Sequence, residues 1–512
     1  MEKSTICILI TIIAYLILMV VIGIVYSRKN KDVSDFYLGG RRLGPLVSAM
    51  SAEASDMSSW LLMGLPGVAY LTGGAEAGWT AIGLAVGTYL NWLFVAKRLR
   101  IYSHKTGSIT IPDFFSDRYG DKSKALMGVA AAIILIFFVP YTASGFSACG
   151  KLFSSIFGWD YHVAMIISAI IIILYTSTGG FLAASLTDLI QSFVMTLALI
   201  SIVAFGVYYA GGLDNVIDNA KAIPGYFDLM NIHNTETGAA DNYSGLTIAS
   251  LLAWGLGYFG MPHVLLRFMA SQDKDKIKTS RRIASIWVVI SMGIAIFIGF
   301  IGNCLTSGGT IEKLDGSNSE TIIIKIAMFM SNKNVLLALL AGLVFAGILA
   351  CTMSTSDSQL LAASSSMSEN LLKGVFKIKM DKKNSMLAAR AVLVLIALLG
   401  VILAWDRDSS VFRVVSFAWA GFGATFGPVM LAALFWKRSN KYGAIAGMIS
   451  GGIMVFVWKF GISRLGGAFA IYELLPAFIT ALIAIVVVSL ITSAPEKEIT
   501  ETFEAVRAEI KQ

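Results

Sequence analysis

The stretch SAEASDMSSW occupies residues 51–60 and lies within a segment that otherwise has the composition of a membrane span. Leu46 and Val47 precede it, and the apolar run LLMGLPGVAYL follows it directly. A charged side chain at the centre of a bilayer costs at least about 2.5 kcal/mol, so such residues usually line a pathway or a binding site. Glu53 and Asp56 therefore predict a functional site inside the membrane.

The rest of the chain has the composition of an all-α polytopic membrane protein. Of its 512 residues, 56% are hydrophobic and 14% are charged, whereas about a quarter of a soluble domain is charged. The net charge of +8 comes from short clusters of lysine and arginine between apolar runs, a pattern of membrane topology rather than of nucleic-acid binding. The scattered cysteines and histidines indicate neither a disulfide framework nor a metal enzyme. Nothing points to an obligate protein partner.

Apolar runs of about 20 residues predict about thirteen transmembrane helices. The predicted spans are 5–26, 45–72, 77–96, 125–149, 161–179, 184–210, 246–269, 283–305, 334–371, 388–405, 410–436, 442–460 and 471–492. We expect residues 1–492 to form a single transporter domain and residues 493–512 to form a short cytoplasmic tail. The first apolar run is too long for a signal peptide and is interpreted as a retained span.

The loops predict the orientation of the chain in the membrane. The basic loops all fall on one side of the predicted spans; they are SRKNK, GGRR, KRLR, KDKIKTSRR, KGVFKIKMDKK and KRSNK. The loop 211–245, on the other side, carries five acidic residues. Positively charged loops stay in the cytoplasm, so we expect the N-terminus outside and the C-terminus inside the plasma membrane.

Two predicted spans contain features that break helices. The second span carries the polar stretch in its middle, and the seventh carries WGLGYFGMPH, in which three glycines weaken the helix and Pro262 removes a hydrogen-bond donor. Broken helices five spans apart are typical of LeuT-type transporters, which are built from two inverted five-helix repeats. The repeats would occupy about 45–210 and 246–436.

Asp56 is the first candidate for ion chemistry. A broken helix frees backbone carbonyl groups, and these oxygens are ligands that a small cation needs. A carboxylate paired with an arginine for packing is the alternative. Glu53 is assigned no role, because it could titrate, pair with a basic residue or face water.

The ninth span is the second candidate, because CTMSTSDSQLLAASSSMSEN, residues 351–370, carries hydroxyls at nearly every position. Such a run fits an ion-lined face, although a hydroxyl-rich helix interface is an equal alternative. Asp188 is either a charge at a helix end near the cytoplasm or part of a site. Among the aromatic residues, Trp254 beside a glycine-broken segment is the best candidate for shaping a solute pocket.

No catalytic constellation is present, so the chain is not expected to be an enzyme. A nucleophile elbow, a phosphate-binding glycine loop with its lysine and a metal-spaced histidine set are all absent from the sequence. Without an ATP site, transport has to be driven by an ion gradient. A membrane potential supplies about 2.3 kcal/mol per charge per 100 mV, enough for uphill uptake of a small solute.

Five stretches together resemble the sodium:solute symporter family, most closely its proline-transporting branch. They are DFYLGGRRLGPLVSAMSAEASDMSSWLLMGLPG, TSTGGFLAASLTD, WGLGYFGMPHVLLRFMA, MSTSDSQLL and SFAWAGFGATFGPV. The similarity runs over nearly the whole chain, in order. The resemblance implies a LeuT-type core within thirteen spans and Na⁺-coupled uptake of L-proline by alternating access.

The resemblance also implies roles for particular residues of this sequence. The principal Na⁺ site would take oxygens of Ala54, Met57, Cys351, Ser354 and Thr355, with Asp56 influencing that site. Solute binding is implied for Trp60, Tyr141, Trp254, Tyr258 and Pro262, and coupling for Arg41. Asp188 with Ser358 would correspond to a second Na⁺ site of some members, although Asp357 stands where those members place a serine.

Two departures from the close branch flank the predicted break, because Glu53 and Ser59 replace glycines there. An extra carboxylate at this place bears on the choice between Na⁺, Li⁺ and H⁺. Three alternatives to Na⁺-coupled proline uptake stay open: a Na⁺- or H⁺-coupled symporter for another amino acid or small organic solute, a channel, and a membrane sensor. A sensor would need a signalling domain after the last span, where about 20 residues remain.

Overall fold

The computed structural model describes residues 3–27 and 33–511, so most of the basic loop SRKNK lies outside the described residues. The described chain is almost entirely helical. Its first ten helices are α1 (Lys3–Ser27), α2 (Val33–Leu38), α3 (Pro45–Ser59), α4 (Leu65–Thr72), α5 (Gly74–Leu90), α6 (Lys97–Thr106), α7 (Ile111–Arg118), α8 (Ala125–Phe157), α9 (Tyr161–Tyr209) and α10 (Leu213–Ala222).

A short antiparallel hairpin, β1 (Asn231–His233) with β2 (Ala240–Asn242), separates the two halves of the chain. The remaining helices are α11 (Gly245–Leu252), α12 (Pro262–Ala270), α13 (Ile277–Ser307), α14 (Ile322–Ser331), α15 (Val335–Ser365), α16 (Lys382–Leu403), α17 (Val411–Phe435), α18 (Lys441–Phe460), α19 (Leu474–Ile491) and α20 (Lys497–Lys511). The predicted tail is thus the helix α20.

Both predicted breaks are present in the structure. In α3, Ser58 has a φ of 47° and a ψ of −172°, and a π-helical turn, Trp60–Gly64, follows before α4 begins. The second break lies between α11 and α12, where Ala253–Gly260 forms a 3₁₀ segment and the axis bends by 48°. Glycine is required in this segment, because a Cβ atom on Gly257 would lie 1.9 Å from the Nε1 atom of Trp419.

The predicted count of thirteen spans is not confirmed. By length and hydropathy, the described part of the chain has nine helices able to cross a membrane, or ten if α11 and α12 are taken as one bent span. The other predicted spans are broken or short: α3 and α4 are split at Ser58, and the apolar parts Tyr161–Leu174 and Leu387–Leu403 fall below a full span. Predicted spans 161–179 and 184–210 meet at a kink in α9, where Gly180 has a non-helical backbone (φ 69°, ψ 179°), and the second of them corresponds to the apolar helix Gly180–Tyr209.

The broken segments lie at the centre of the helical packing. Helix α15 packs against α9, α1, α3 and α8, and α17 packs against the 3₁₀ segment 253–260 and against α19. Every residue of α3 from Ser48 to Ser59 is buried. Because α15 carries the hydroxyl-rich stretch, the packing places that stretch beside the polar stretch of α3.

Candidate cation and solute site

Asp56 joins three elements just before the break in α3. The hydroxyl of Tyr258, in the 3₁₀ segment, donates to Asp56 Oδ2 at 2.6 Å, and the hydroxyl of Tyr141, in α8, donates to the carbonyl oxygen of Asp56 at 3.1 Å. Asp56 Oδ1 is buried without a hydrogen-bond partner. The predicted Asp56, Tyr141 and Tyr258 therefore form one contact cluster.

The cation ligands that the resemblance implies converge between α3 and α15. Ser354 Oγ lies 2.8 Å from the carbonyl oxygen of Ala54 and 3.1 Å from that of Cys351, within hydrogen-bonding distance of both. Thr355 Oγ1 is buried and has no partner, so it has unused capacity to bind a ligand. These groups are all oxygen donors, which suits a small alkali cation. Met57 lines the neighbouring cavity.

A small cavity lies beside the cation ligands. Its lining is mostly aromatic, and it comprises Asp56, Met57, Trp60, Leu84, Tyr141, Trp254, Val415 and Trp419. The cavity volume available to the centre of a water molecule is about 10 Å³, so the cavity has room for about one water molecule. The predicted Trp60, Tyr141 and Trp254 therefore share one small cavity.

Aromatic rings pack against one another beside this cavity. The ring centroids of Trp60 and Trp254 are 5.7 Å apart, and Phe412 lies 5.9 Å from Trp60 and 5.5 Å from Trp254. Tyr472 stacks on Trp254 at 5.0 Å. Pairs at these distances are held by more than burial alone. Sequence reasoning assigned no role to Phe412, Trp419 or Tyr472, although Trp419 lies in the motif SFAWAGFGATFGPV.

Pro262 does not line this cavity. It is the first residue of α12, where a missing backbone N–H leaves no bond unmade and the fixed φ suits the start of a helix. The structure therefore places Pro262 where it directs α12 away from the break.

Arg41 lies away from the cation ligands and ties several segments together. Its Nη1 donates to the carbonyl oxygen of Met269 at 2.7 Å, and its Nη2 donates to those of Ser103 and Ser108 at 3.0 and 2.6 Å. Burial lowers the pKa of Arg41 to about 10, which still leaves the guanidinium charged at neutral pH. The side chain therefore fastens the segment before α3 to α12 and to the end of α6.

Asp188 is buried inside α9, where it forms an ion pair that sequence reasoning missed. Arg267 Nη2 donates to Asp188 Oδ2 at 3.0 Å and to Ser358 Oγ at 2.5 Å, and Ser51 Oγ donates to the same carboxylate oxygen at 2.6 Å. Both charged side chains are at most 1% exposed. Arg267 thus lies between Asp188 and Ser358, the pair implied for a second Na⁺ site. No signal in the sequence joined residues so far apart.

Comparison with known proteins decides the family. The family model described as "Sodium:solute symporter family" matches residues 36–451. The chain belongs to this family. The match includes every site residue that the sequence predicted, from Arg41 to Ser358, and the predicted resemblance is confirmed.

Curated relatives of this family member cover nearly its whole length. A sodium/proline symporter of Haemophilus influenzae is 41% identical over 98% of this chain and 98% of the relative. A high-affinity proline transporter of Bacillus subtilis is 40% identical over 95% of this chain and 98% of the relative. A sodium/proline symporter of Escherichia coli is 39% identical over 97% and 95%.

Solved structures confirm the fold class of this family member. The substrate-bound, outward-open state of a Na⁺-coupled sialic acid symporter matches with a TM-score of 0.78 over 96% of this chain and 99% of that one, at 19% identity. A nucleobase-cation-symport-1 family transporter in a closed conformation matches with a TM-score of 0.54. The predicted all-α, LeuT-type architecture is therefore correct.

Proposed function

We propose that this protein couples the entry of Na⁺ to the uptake of L-proline across the cell membrane by alternating access. One observation carries the proposal: the cation ligands and the solute cavity share a single stretch of α3. Ala54 meets Ser354 of α15, and two residues later Asp56 meets Tyr141 and Tyr258. The curated relatives named as proline transporters support the choice of solute.

The Na⁺ ion would be held by the oxygens of Ala54, Met57, Cys351, Ser354 and Thr355. Two features of the residues fit this role: the unpartnered hydroxyl of Thr355, and the Ser354 hydroxyl that bridges α15 and α3. Because the ligands belong to α3 and α15, a cation bound between them would hold the two helices together. It therefore fixes the break of α3 against α15, and with it the position of Asp56.

Proline would bind on the aromatic side of the break. Its apolar ring would pack on Trp60 and Trp254, while its charged groups would meet Asp56 and the hydroxyls of Tyr141 and Tyr258. Because the cavity has room for about one water molecule, the solute would enter only after the aromatic residues that line it have moved. This requirement matches alternating access, in which the site opens to one side at a time.

Arg41 and Asp188 would serve coupling from outside the cavity. Arg41 binds backbone oxygens at the ends of α6 and α12, and Asp188 pairs with Arg267 of α12. Both contacts connect α12, which follows the second break, to other elements. A movement of α12 during transport would have to alter these contacts.

We propose that the C-terminus is cytoplasmic and the N-terminus external. Helix α20 supports this orientation, because two of its glutamates form ion pairs with lysines of the predicted cytoplasmic loops. Glu509 pairs with Lys274 at 2.8 Å, and Glu504 pairs with Lys437 at 3.1 Å. The C-terminal helix therefore lies on the face that carries the basic loops, the face that stays in the cytoplasm.

Uptake of radiolabelled L-proline into proteoliposomes tests the proposed function. An inward Na⁺ gradient is expected to drive accumulation, an equal K⁺ gradient is expected to drive none, and Asp56→Asn is expected to lose the Na⁺-driven part. Uptake of a different amino acid in place of proline would contradict the proposed solute. Proline uptake that follows a proton gradient and ignores Na⁺ would contradict the proposed ion.

A further inference from the structure

Helix α3 carries a second buried carboxylate, Glu53, beside Asp56. Glu53 is 1% exposed and Asp56 is 6% exposed, and residues three apart on a helix are neighbours on its surface. In the described part of the chain, Asp56 is the charged neighbour of Glu53, and no lysine, arginine or histidine interacts electrostatically with either carboxylate. Two buried carboxyl groups without a counter-charge are stable when they are protonated or when a cation binds between them.

One oxygen of each carboxylate is already used by the protein, and the other is free. Trp92 Nε1 donates to Glu53 Oε1 at 3.0 Å, and Tyr258 donates to Asp56 Oδ2 at 2.6 Å. Glu53 Oε2 and Asp56 Oδ1 are buried and have no hydrogen-bond partner. The donors of Trp92 and Tyr258 hold the two carboxylates in place and leave one oxygen on each for a ligand.

A third oxygen comes from a different helix. Thr88, in α5, is 1% exposed, and its hydroxyl lies beside the Glu53 carboxylate and the Tyr258 hydroxyl. Thr88 Oγ1 nevertheless makes no hydrogen bond of normal geometry. An unpartnered buried hydroxyl next to two unpartnered carboxylate oxygens is the arrangement that a bound cation would satisfy.

We propose that Glu53 Oε2, Asp56 Oδ1 and Thr88 Oγ1 bind a second small monovalent cation of the Na⁺ and Li⁺ class. The donors are oxygens, which excludes the softer transition metals that prefer sulfur or imidazole. Ca²⁺ takes about six to eight oxygen ligands, more than this group offers, and Mg²⁺ keeps several waters that the packed site cannot hold. The inference rests on the proposed function, because it takes the ion between Ala54 and Ser354 as the first.

This site is separate from the place implied for a second ion at Asp188. There the guanidinium of Arg267 supplies one positive charge beside two buried carboxyl groups, Asp188 and Asp357. Beside Glu53 no such group is present among the described residues. Among the described residues, an added cation would therefore be the one positive charge beside Glu53 and Asp56.

Equilibrium binding of radioactive sodium to the purified full chain in detergent tests the proposal. Glu53→Gln removes the charge while its amide oxygen can still accept from Trp92, and Thr355→Ala removes a ligand of the first site. Each variant is expected to lose about half of the bound sodium, and the double variant nearly all of it. Glu236→Gln, in an exposed loop, is the matched control and is expected to bind as wild type does.

The outcomes separate the two proposals. Full sodium binding by Glu53→Gln, together with complete loss in Thr355→Ala, would overturn the second site and leave the proposed function standing. No sodium binding by wild type would overturn both. If Glu53→Gln does not give a monodisperse protein, Thr88→Val replaces it, because it keeps the shape of the side chain and removes the hydroxyl. Sodium is then expected to bind to the second site about tenfold or more weakly.

Discussion

At the scale of single residues, the hydroxyl of Tyr258 makes a hydrogen bond to the carboxylate of Asp56 from outside the cation ligands. It is the donor to Asp56 Oδ2, and the ring lies edge-on to Trp419 with the centroids 5.0 Å apart. A hydrogen bond to a charged group contributes about 1.5–3 kcal/mol. Tyr258 thus orients the carboxylate from within the broken segment of the other repeat.

Tyr258→Phe is therefore expected to raise the half-saturating proline concentration by about tenfold or more, since it removes this bond and keeps the ring. Initial rates of proline uptake into proteoliposomes measure the effect. Tyr226→Phe is the matched control, because Tyr226 is equally buried and its hydroxyl donates to the carbonyl oxygen of Tyr70, away from the site. Equal half-saturation in both variants would show that Tyr258 does not orient Asp56.

Sequence reasoning reached the residues of the site unevenly, for a physical reason. Asp56 was identified because burial of a charge is costly wherever the chain places it. The partners of that charge depend on tertiary contacts: Tyr258 meets Asp56 across 202 residues, and Arg267 meets Asp188 across 79. Arg267 lies inside the predicted span 246–269, so its charge was a signal that could have identified it, whereas Phe412 does not stand out because phenylalanine is common in membrane spans.

At the scale of elements, the short helix α7 has a pH-sensitive start. Asp113 completes the capping box with Thr110 and accepts a hydrogen bond from Asn370 Nδ2 at 2.7 Å, which joins α7 to the π-helical segment Ser366–Val375 that follows α15. Burial raises the pKa of Asp113 from 3.8 to about 6, against the opposing hydrogen bonds. The folded protein therefore binds more protons at this group than the unfolded chain does over that interval.

As pH rises from about 4 to about 6, the contribution of Asp113 to the free energy of unfolding therefore falls. Asp113→Asn mimics the protonated group, so its midpoint of thermal unfolding is expected to depend less on pH over this interval. Thermal unfolding in detergent at a series of pH values measures it. The exposed Asp214→Asn is the control, and an identical slope in all three proteins would refute the prediction.

The second element-scale prediction concerns the 3₁₀ segment of the broken seventh span. Gly257→Ala would force a methyl group against Trp419, whose Nε1 donates to the carbonyl oxygen of Trp254 at 2.8 Å. Overpacking of this kind typically costs about 1–3 kcal/mol. We expect a lower unfolding midpoint and slower proline uptake. Gly293→Ala is the control, since a Cβ atom there would have no atom within 4 Å; equal effects of the two changes would exclude the close contact as the cause.

At the scale of the whole molecule, hydropathy predicted the class of the protein better than its number of spans. The two breaks were predictable from Asp56 and from Gly257 with Pro262, because polar and helix-breaking residues are conspicuous in apolar runs. The division of 161–210 into two spans agrees with the kink at Gly180, whereas the predicted span 45–72 is split by the non-helical Ser58. Hydropathy detects the length and composition of an apolar run, and a bend or a break changes neither.

The central claim concerns the molecule as a whole: the two broken spans and α15 form one site, in which a cation and a solute stabilise each other. If a bound ion at Ala54, Ser354 and Thr355 fixes α3, it also fixes Asp56 and so favours the solute. Reciprocity then requires that each ligand tighten the other, typically by about 5- to 150-fold.

The most direct measurement is the equilibrium affinity of the purified protein for radiolabelled L-proline in NaCl and in KCl at equal ionic strength. The expected result is at least about tenfold tighter binding in NaCl for wild type and for Thr352→Ala, whose lost hydroxyl donates to the carbonyl oxygen of Ile348 within α15. Thr355→Ala is expected to bind proline equally in both salts. Equal affinity of the wild type in the two salts, or an undiminished effect of Na⁺ in Thr355→Ala, would contradict the account.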